Sequence, residues 1–319
     1  MSNAIAMDLP KKKRGFWETF NKYKWLYLMV APGVILLIVF SYFPMYGIQV
    51  AFKQFSPKLG IWGSPWNGFD NYKFLLQQRE FWRAVQNTLI ISMCKLAINF
   101  PAPLILALLL NEVRNMQYKR IVQTLLYIPH FLSWVIVYGM FFSLFSNQGA
   151  VTSLLKSTFN INLEGLLTKP EHFRTILYTT DVWKGAGWGT IIYLAAIAGI
   201  NPELYEAAII DGATRFQRVM KITMPTLKYT IGVLLILSCG GILSAGFDQV
   251  LNFYTPATYS TGDIIDTYIY RISGLGGGNQ SGAKMEYGAS VGIATSVINC
   301  ILLLTTNFIV EKFGDGGIF

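Results

Sequence analysis

The sequence predicts an all-α polytopic membrane protein with about six transmembrane helices. Three observations carry this reading. Apolar residues make up 53% of the 319-residue chain and charged residues only 13%, where a soluble domain has about 25% charged residues. Six apolar runs are each near the ~20 residues that a helix needs to cross the hydrocarbon core. The basic residues behind the net charge of +9 flank these runs. That placement points to orientation in a bilayer and not to nucleic-acid binding.

The elements follow in order. Residues 1–25 are polar and basic, with Lys11, Lys12, Lys13, Arg14, Lys22 and Lys24. Phe16, Trp17, Phe20 and Tyr23 interleave at near-helical spacing, which predicts a short interfacial helix. A cleaved signal peptide is the rival reading, but the run to Tyr46 is long for one and no small-residue cleavage site follows. Span one is predicted over 26–46, span two over 88–110, span three over 121–145, span four over 175–200, span five over 231–247 and span six over 289–310. Domain organisation is then a basic N-terminal segment, a membrane domain over 26–310 and a short tail over 311–319. The loops over 111–120 and 201–230 carry Arg114, Lys119, Arg120, Arg215, Arg218, Lys221 and Lys228. Their positive charge places them, with both termini, in the cytoplasm.

Several smaller features fit a bilayer. Pro32, Pro44, Pro101, Pro103 and Pro129 sit in or near spans, where neighbouring helices can absorb the lost hydrogen bonds. Gly185 and Gly189 form a GxxxG pair with Gly187 between them; either this small face lets helices approach closely or the glycines only give backbone flexibility near Trp183 and Trp188. Cys94, Cys239 and Cys300 fall inside apolar runs and read as small buried residues, neither disulfides nor metal ligands. His130 and His172 are far apart and match no metal-binding spacing.

The segment over 201–227 carries the functional signal. Asn201 can cap a helix, Pro202 suits its first turn, and Glu203 favours the positive end of its dipole. Leu204, Ala207, Ala208 and Ile210 continue it, and Asp211-Gly212 breaks it. A second short helix follows, with Phe216, Val219 and Met220 on one side and Arg215, Arg218 and Lys221 recurring every three residues. Pro225 is expected to end that helix ahead of span five. The product is a protruding helix–turn–helix that a partner groove could accept.

These residues resemble the EAA loop of bacterial ABC-importer permeases: Glu-Ala-Ala, two residues, Asp-Gly-Ala, then Ile-x-Leu-Pro. Glu206, Ala207, Ala208, Asp211, Gly212, Ala213, Ile222 and Pro225 match. Met224 replaces the usual leucine, and Val219 the usual aromatic. The resemblance extends over residues 20 to 319 through Ala31-Pro32-Gly33, Asn71-Tyr72, Asn87-Thr88 and Tyr127-Ile128-Pro129. The stretches from Phe100 to Glu112 and from Gly246 to Val250 look most like the branch that includes the lipoprotein-named, rhamnogalacturonan, alginate and complex-oligosaccharide importers.

The resemblance implies a half-transporter in a bacterial cytoplasmic membrane. A second permease subunit would complete the path, two ATPase subunits would grip the two EAA loops, and an extracytoplasmic solute-binding protein would deliver an oligosaccharide. Glu206 through Gly212 would sit in the ATPase groove, with Arg215 and Arg218 near its rim. No cofactor is expected in this chain, with ATP and Mg held by the ATPase subunits. The residues agree, because no GxxxxGK[ST] loop is present. The stretch from Gly278 to Lys284 has the wrong spacing, and the run Gly274-Leu275-Gly276-Gly277-Gly278 lacks a strand–helix context.

For the substrate path the candidates are Lys95, Lys184, Phe247, Asp248 and Gln249. A charge inside a span usually faces a cavity or a partner, so Lys95 and Lys184 either meet the sugar or form interhelical pairs. Asp248 and Gln249 are expected to end span five, beside Phe247, Phe253 and Tyr254. There they either bind sugar hydroxyls or form a polar helix end under aromatic residues. Asp263 and Asp266 are weaker candidates, and Ile264 to Ile272 suggests a helix. The alternatives are a permease for peptides or amino acids and a secondary transporter. The latter would need a repeat and mid-membrane carboxylates, and no acidic residue is read deep in any span. An enzyme would need clustered catalytic groups, and none is apparent.

Overall fold

The structure is a computed structural model, and it describes residues 16–161, 163–275 and 284–313. The basic run from Lys11 to Arg14, residues Gly276 to Ala283 and the tail from Gly314 lie outside the described residues. Helices dominate, and no named strand occurs among the described residues. One isolated antiparallel bridge joins Lys53 and Trp66.

The chain divides into two units, Met1–Gln49 and Val50–Phe319. The first contains α1 (Phe16–Leu37), which kinks at Tyr23 (φ −109°, ψ 16°). The kink separates the expected interfacial segment from the apolar run. Phe20 stacks on Tyr27 across it at 5.3 Å. Beyond Pro32 the helix widens into a π turn, Ile38–Tyr42, and then tightens into the 3-10 stretch Phe43–Phe52.

The second unit contains α2 (Gly60–Gly63), α3 (Asp70–Gln77), α4 (Arg79–Asn99), α5 (Pro101–Asn111), α6 (Met116–Tyr127), α7 (Trp134–Phe145), α8 (Ala150–Phe159) and α9 (Pro170–Ala198). It continues with α10 (Pro202–Ile210), α11 (Arg215–Arg218), α12 (Met224–Gly240), α13 (Phe247–Phe253), α14 (Tyr259–Gly262), α15 (Ile265–Ile272) and α16 (Met285–Phe313). Among the described residues, five stretches are long and apolar enough to cross a membrane: Phe20–Phe52, Arg79–Asn111, Trp134–Phe159, Arg215–Gly240 and Met285–Lys312. The predicted fourth span corresponds to α9. Its 29 residues reach ~44 Å at 1.5 Å per residue, but Glu171, Arg174, Asp181 and Lys184 interrupt its apolar run. The count of six therefore rests on α9's length and not on its composition.

Two spans and one burial differ from expectation for physical reasons. Predicted span three breaks in the middle. Pro129 ends α6 in a 3-10 turn, Leu132 and Ser133 are extended, and Ser133 caps α7 through Ile136 N–H at 3.3 Å. Predicted span five starts at Met224 and ends at Gly240, because Ala245 (φ 48°) and Gly246 (φ 84°) are left-handed and turn the chain. Asp248 and Gln249 therefore belong to a separate helix, α13. Cys300 was expected to be buried but lies on an exposed face of α16, while Cys94 and Cys239 are half-buried.

Helix α9 is the centre of the second unit, packing on α4, α5, α6 and α12. Small residues make this possible. A Cβ on Gly187 would overlap the Leu126 backbone, and one on Gly189 would lie 2.7 Å from Pro103 Cγ. Gly185 faces open space. The close approach therefore uses Gly187 and Gly189 and not the expected Gly185–Gly189 pair. Ala107, Tyr193, Ile197 and Leu227 form one core, and Ile91, Phe173, Leu177, Val250 and Ile264 form another.

At the end away from the 201–227 loop, polar side chains clamp residues 258–272 onto α4 and α9. Asn87 Nδ2 donates to Asp263 O (3.0 Å), and Asn87 Oδ1 accepts from Arg174 Nη2 (2.9 Å). Thr88 Oγ1 accepts Ile265 N–H at 2.8 Å. Fully buried Asp263 accepts from Thr267 Oγ1 (2.9 Å) and from Arg271 Nη2 (2.8 Å). The expected helix over Ile264 to Ile272 is α15, and burial raises the carboxyl pKa of Asp266 within it.

Candidate functional site: the 201–227 loop and a polar cluster among the spans

The loop is built from local rules. Asn201 Oδ1 accepts Glu203 N–H at 3.0 Å, and Pro202 occupies the first turn of α10. Gly212 ends α10 with φ +76°. Ala213 N–H bonds Ala208 O (2.8 Å) and Gly212 N–H bonds Ile209 O (3.0 Å), the pair of bonds that closes a helix on a left-handed glycine. The Asp211-Gly212-Ala213 spacing is thus a helix stop in which glycine avoids the strain that a Cβ would add. Thr214 and Gln217 then form a capping box for α11. That box was missed in the sequence, although Thr-x-x-Gln is its usual signature.

Glu206, Ala207, Asp211, Gly212 and Arg215 are exposed, while Ala208, Ala213 and Arg218 are half-buried. The loop also presents large apolar groups, with Ile210 85% and Phe216 73% exposed. Leu204, Ile209 and Met220 are exposed as well. Such a cluster marks a surface made for contact with another body. Pro225 does not end the second helix. The helix from Arg215 passes through a wide turn, Val219–Thr223, directly into α12.

The second constellation lies among α4, α9 and the turn after α12. Lys95 is 8% exposed. Its Nζ donates to Ala245 O at 2.9 Å and to Gln249 Oε1, and lies 3.7 Å from Asp181 Oδ2. Gln249, fully buried, donates through Nε2 to Leu177 O (2.8 Å) and Thr180 Oγ1 (2.7 Å). Asn99 Nδ2 donates to Asp181 Oδ2. A cavity of about 360 Å³ opens beside the group and is lined by Lys95, Asn99, Asp181, Ser238 and Gly246, among others.

Asp181 contradicts the expectation that no span holds an acidic residue. It sits within predicted span four, and its partner is the lysine that the sequence had singled out. A buried cation in a span needs a counter-charge, so Lys95 was itself the signal for such a partner. Lys184 lies elsewhere. It donates to His130 O at 2.8 Å and sits over the Trp134 ring at 5.3 Å, holding the broken span three against α9. His130 stacks on Trp188 with ring centroids 4.5 Å apart. Phe247 packs edge-on against Tyr270 at 5.7 Å, and Asp248 is exposed. The structure thus unites Lys95 with Gln249 and leaves Lys184, Phe247 and Asp248 apart from them. No group of metal-binding side chains occurs among the described residues.

Comparisons with known proteins agree with this architecture. The family model described as "Binding-protein-dependent transport system inner membrane component" matches residues 99–313. Protein LplB of Bacillus subtilis (strain 168) is 44% identical over 297 residues, covering 93% of this chain and 91% of that protein. The polygalacturonan/rhamnogalacturonan transport system permease protein YteP of the same strain is 41% identical, covering 99% of this chain and 97% of that protein. The crystal structure of a bacterial ABC transporter involved in the import of the acidic polysaccharide alginate superposes with a TM-score of 0.84 at 41% identity, covering 93% of this chain and 98% of that one. A second structure of a bacterial alginate ABC transporter, in complex with an alginate pentasaccharide-bound periplasmic protein, gives 0.85 at 39% identity, covering 95% of this chain and 99% of that one. With five long apolar helical stretches among the described residues and relatives that include a named transport permease, the chain is a multi-pass transport subunit, and it belongs to the family of binding-protein-dependent transport system inner membrane components.

Proposed function

We propose that this chain is one permease subunit of an ATP-driven importer in a bacterial cytoplasmic membrane and that it passes acidic oligosaccharides. A second, homologous permease completes the path. An extracytoplasmic binding protein delivers the sugar, and two ATPase subunits, which hold ATP and Mg, drive it. Both termini and the 201–227 loop face the cytoplasm. One observation carries the coupling part: α10, the Gly212 turn and α11 form a preformed projection with Ile210 and Phe216 outward. An apolar helix face of this kind suits a partner groove. Glu206 through Gly212 enter the ATPase groove, with Arg215 and Arg218 at its rim.

The acidic class is supported by the alginate importer among the relatives and by Lys95 in the cavity wall. A carboxylate entering there competes with Asp181 for the ammonium, since the existing contact is 3.7 Å and longer than a good charge-assisted hydrogen bond. The test is uptake by proteoliposomes holding the complete transporter, with ATP inside and uronate or neutral oligosaccharides outside. Uptake should require ATP and binding protein, and should favour the uronate. Lys95→Ala, normalised to protein inserted, should depress uronate uptake more than neutral uptake. Equal losses would remove Lys95 as a charge reader, and ATP-independent uptake would remove the importer reading.

A further inference from the structure

The 201–227 loop meets the span that follows it at an unusual joint. Pro225 has no N–H, and its ring crowds the carbonyl four residues back, at Lys221. The helix absorbs this with the wide turn Val219–Thr223, where Met224 N–H bonds Val219 O five residues back. Such π turns are rare and concentrate at functional sites, because the ladder is locally interrupted. Thr226 Oγ1 adds a bond to Ile222 O at 2.8 Å, so the joint is held without a regular ladder.

Helix α10 is tied to this joint by a side chain. The Tyr205 hydroxyl lies 2.8 Å from Thr223 Oγ1. Thr223 is the last residue of the wide turn and is 1% exposed. Tyr205 is half-buried, on a helix whose other residues are largely exposed. From Thr223 the chain continues as α12, which contributes Leu234 and Ser238 to the cavity wall. Those residues lie 11 and 15 positions on, or ~16 and ~22 Å along the helix axis. A hydroxyl pair therefore connects the exposed helix of the loop to the one irregular turn of a rod that ends at the cavity.

We propose that the Tyr205–Thr223 hydrogen bond transmits movement of α10 into α12, with the wide turn as the place where the rod yields. Tyr205 and Thr223 are then positioning residues for transport. The proposal rests on the reading of α10 as the element that the ATPase grips. Side-chain hydrogen bonds between packed elements carry coupling energy, and this bond joins α10 to α12 directly.

The test uses the complete transporter in proteoliposomes, comparing Tyr205→Phe, Thr223→Val, their double variant and Thr223→Ser. The readouts are ATPase co-purification, ATP hydrolysis and sugar taken up per ATP. Co-purification should be unchanged. Uptake per ATP should fall about fivefold or more in each single variant, the scale of one lost hydrogen bond. The double variant should be no worse than the worse single, and Thr223→Ser should retain coupling. Unchanged uptake per ATP in Tyr205→Phe, or additive losses in the double, would overturn the link. A separate control distinguishes failure of the underlying reading. If a cysteine at position 210 of the parent does not cross-link to the ATPase, the gripping of α10 itself is wrong. If it does cross-link and coupling is untouched by Tyr205→Phe, only the transmission bond is wrong.

Discussion

Lys95→Met tests whether the polar cluster holds the turn between α12 and α13. Methionine keeps most of the lysine stem but offers no donor. Two oxygens lose their partner: Ala245 O, in a residue 4% exposed, and Gln249 Oε1, in a residue with no exposure. Each orphaned acceptor costs about 1–3 kcal/mol, so the variant should lose roughly 2–6 kcal/mol. Asp181 keeps Asn99 as a donor, which limits the damage on that side. With ~2–4 °C lost per kcal/mol in chains of about 150–250 residues, the apparent Tm should fall on the order of 4–24 °C. The assay is thermal unfolding of the detergent-purified transporter followed by size-exclusion chromatography. The double variant Lys95→Met/Gln249→Met should lose less than the sum of the two single variants, because the Lys95–Gln249 bond is counted in both and contacting residues are not additive. A Lys95→Met protein that melts with the parent would refute the cluster as a structural pin.

Other outcomes follow from single contacts. Gly187→Ala should destabilise by ~1–3 kcal/mol through overpacking against the Leu126 backbone, while Gly185→Ala should leave the melting temperature unchanged. Gly212→Asp puts a side chain at φ +76°, and it should abolish transport and weaken ATPase co-purification while the chain still inserts. Glu206→Lys should do the same, and unchanged ATPase binding and hydrolysis in both would remove the loop as a coupling element. Burial raises the Asp266 carboxyl pKa above its ordinary value, so the folded state favours the protonated form. Its stabilising share is present at acidic pH and is lost as pH rises through the raised pKa. Asp266→Asn should therefore melt higher than the parent at neutral pH, with the gap closing below about pH 4, as read from melting curves across pH.

The sequence was most legible where local rules decide. The α10 start at Asn201-Pro202 and the Gly212 stop follow from capping and turn chemistry, and each is present, as is the helix expected over Ile264 to Ile272. Apolar runs located the first and last spans to within about six residues, since hydrophobic length is a property of sequence, but the predicted third and fifth spans were displaced. The breaks were harder. Pro129 splits span three and Pro225 does not split its helix, because neighbouring contacts decide whether a proline ends a helix or is absorbed by a wide turn. The Lys95 cluster was half visible. The lysine declared itself as a charge in an apolar run, but Asp181 and Gln249 lie 86 and 154 positions away along the chain, and no local rule pairs them. The glycine seam was placed on the wrong residue for a related reason. The GxxxG spacing points to Gly185, and only the neighbouring helix, with the Leu126 backbone beside Gly187, puts Gly187 in its place.

The central claim is that an ATPase subunit holds the 201–227 loop. Site-directed cross-linking measures this directly. A cysteine in place of Ile210, the most exposed of the loop's apolar residues, is compared with a cysteine in place of Leu154 on α8, which is also exposed. Both are placed in the complete transporter on a background lacking the three native cysteines. A cross-linked species between position 210 and the ATPase subunit, modulated by ATP, is expected, and none at position 154. A cross-link at 154 with none at 210 would contradict it.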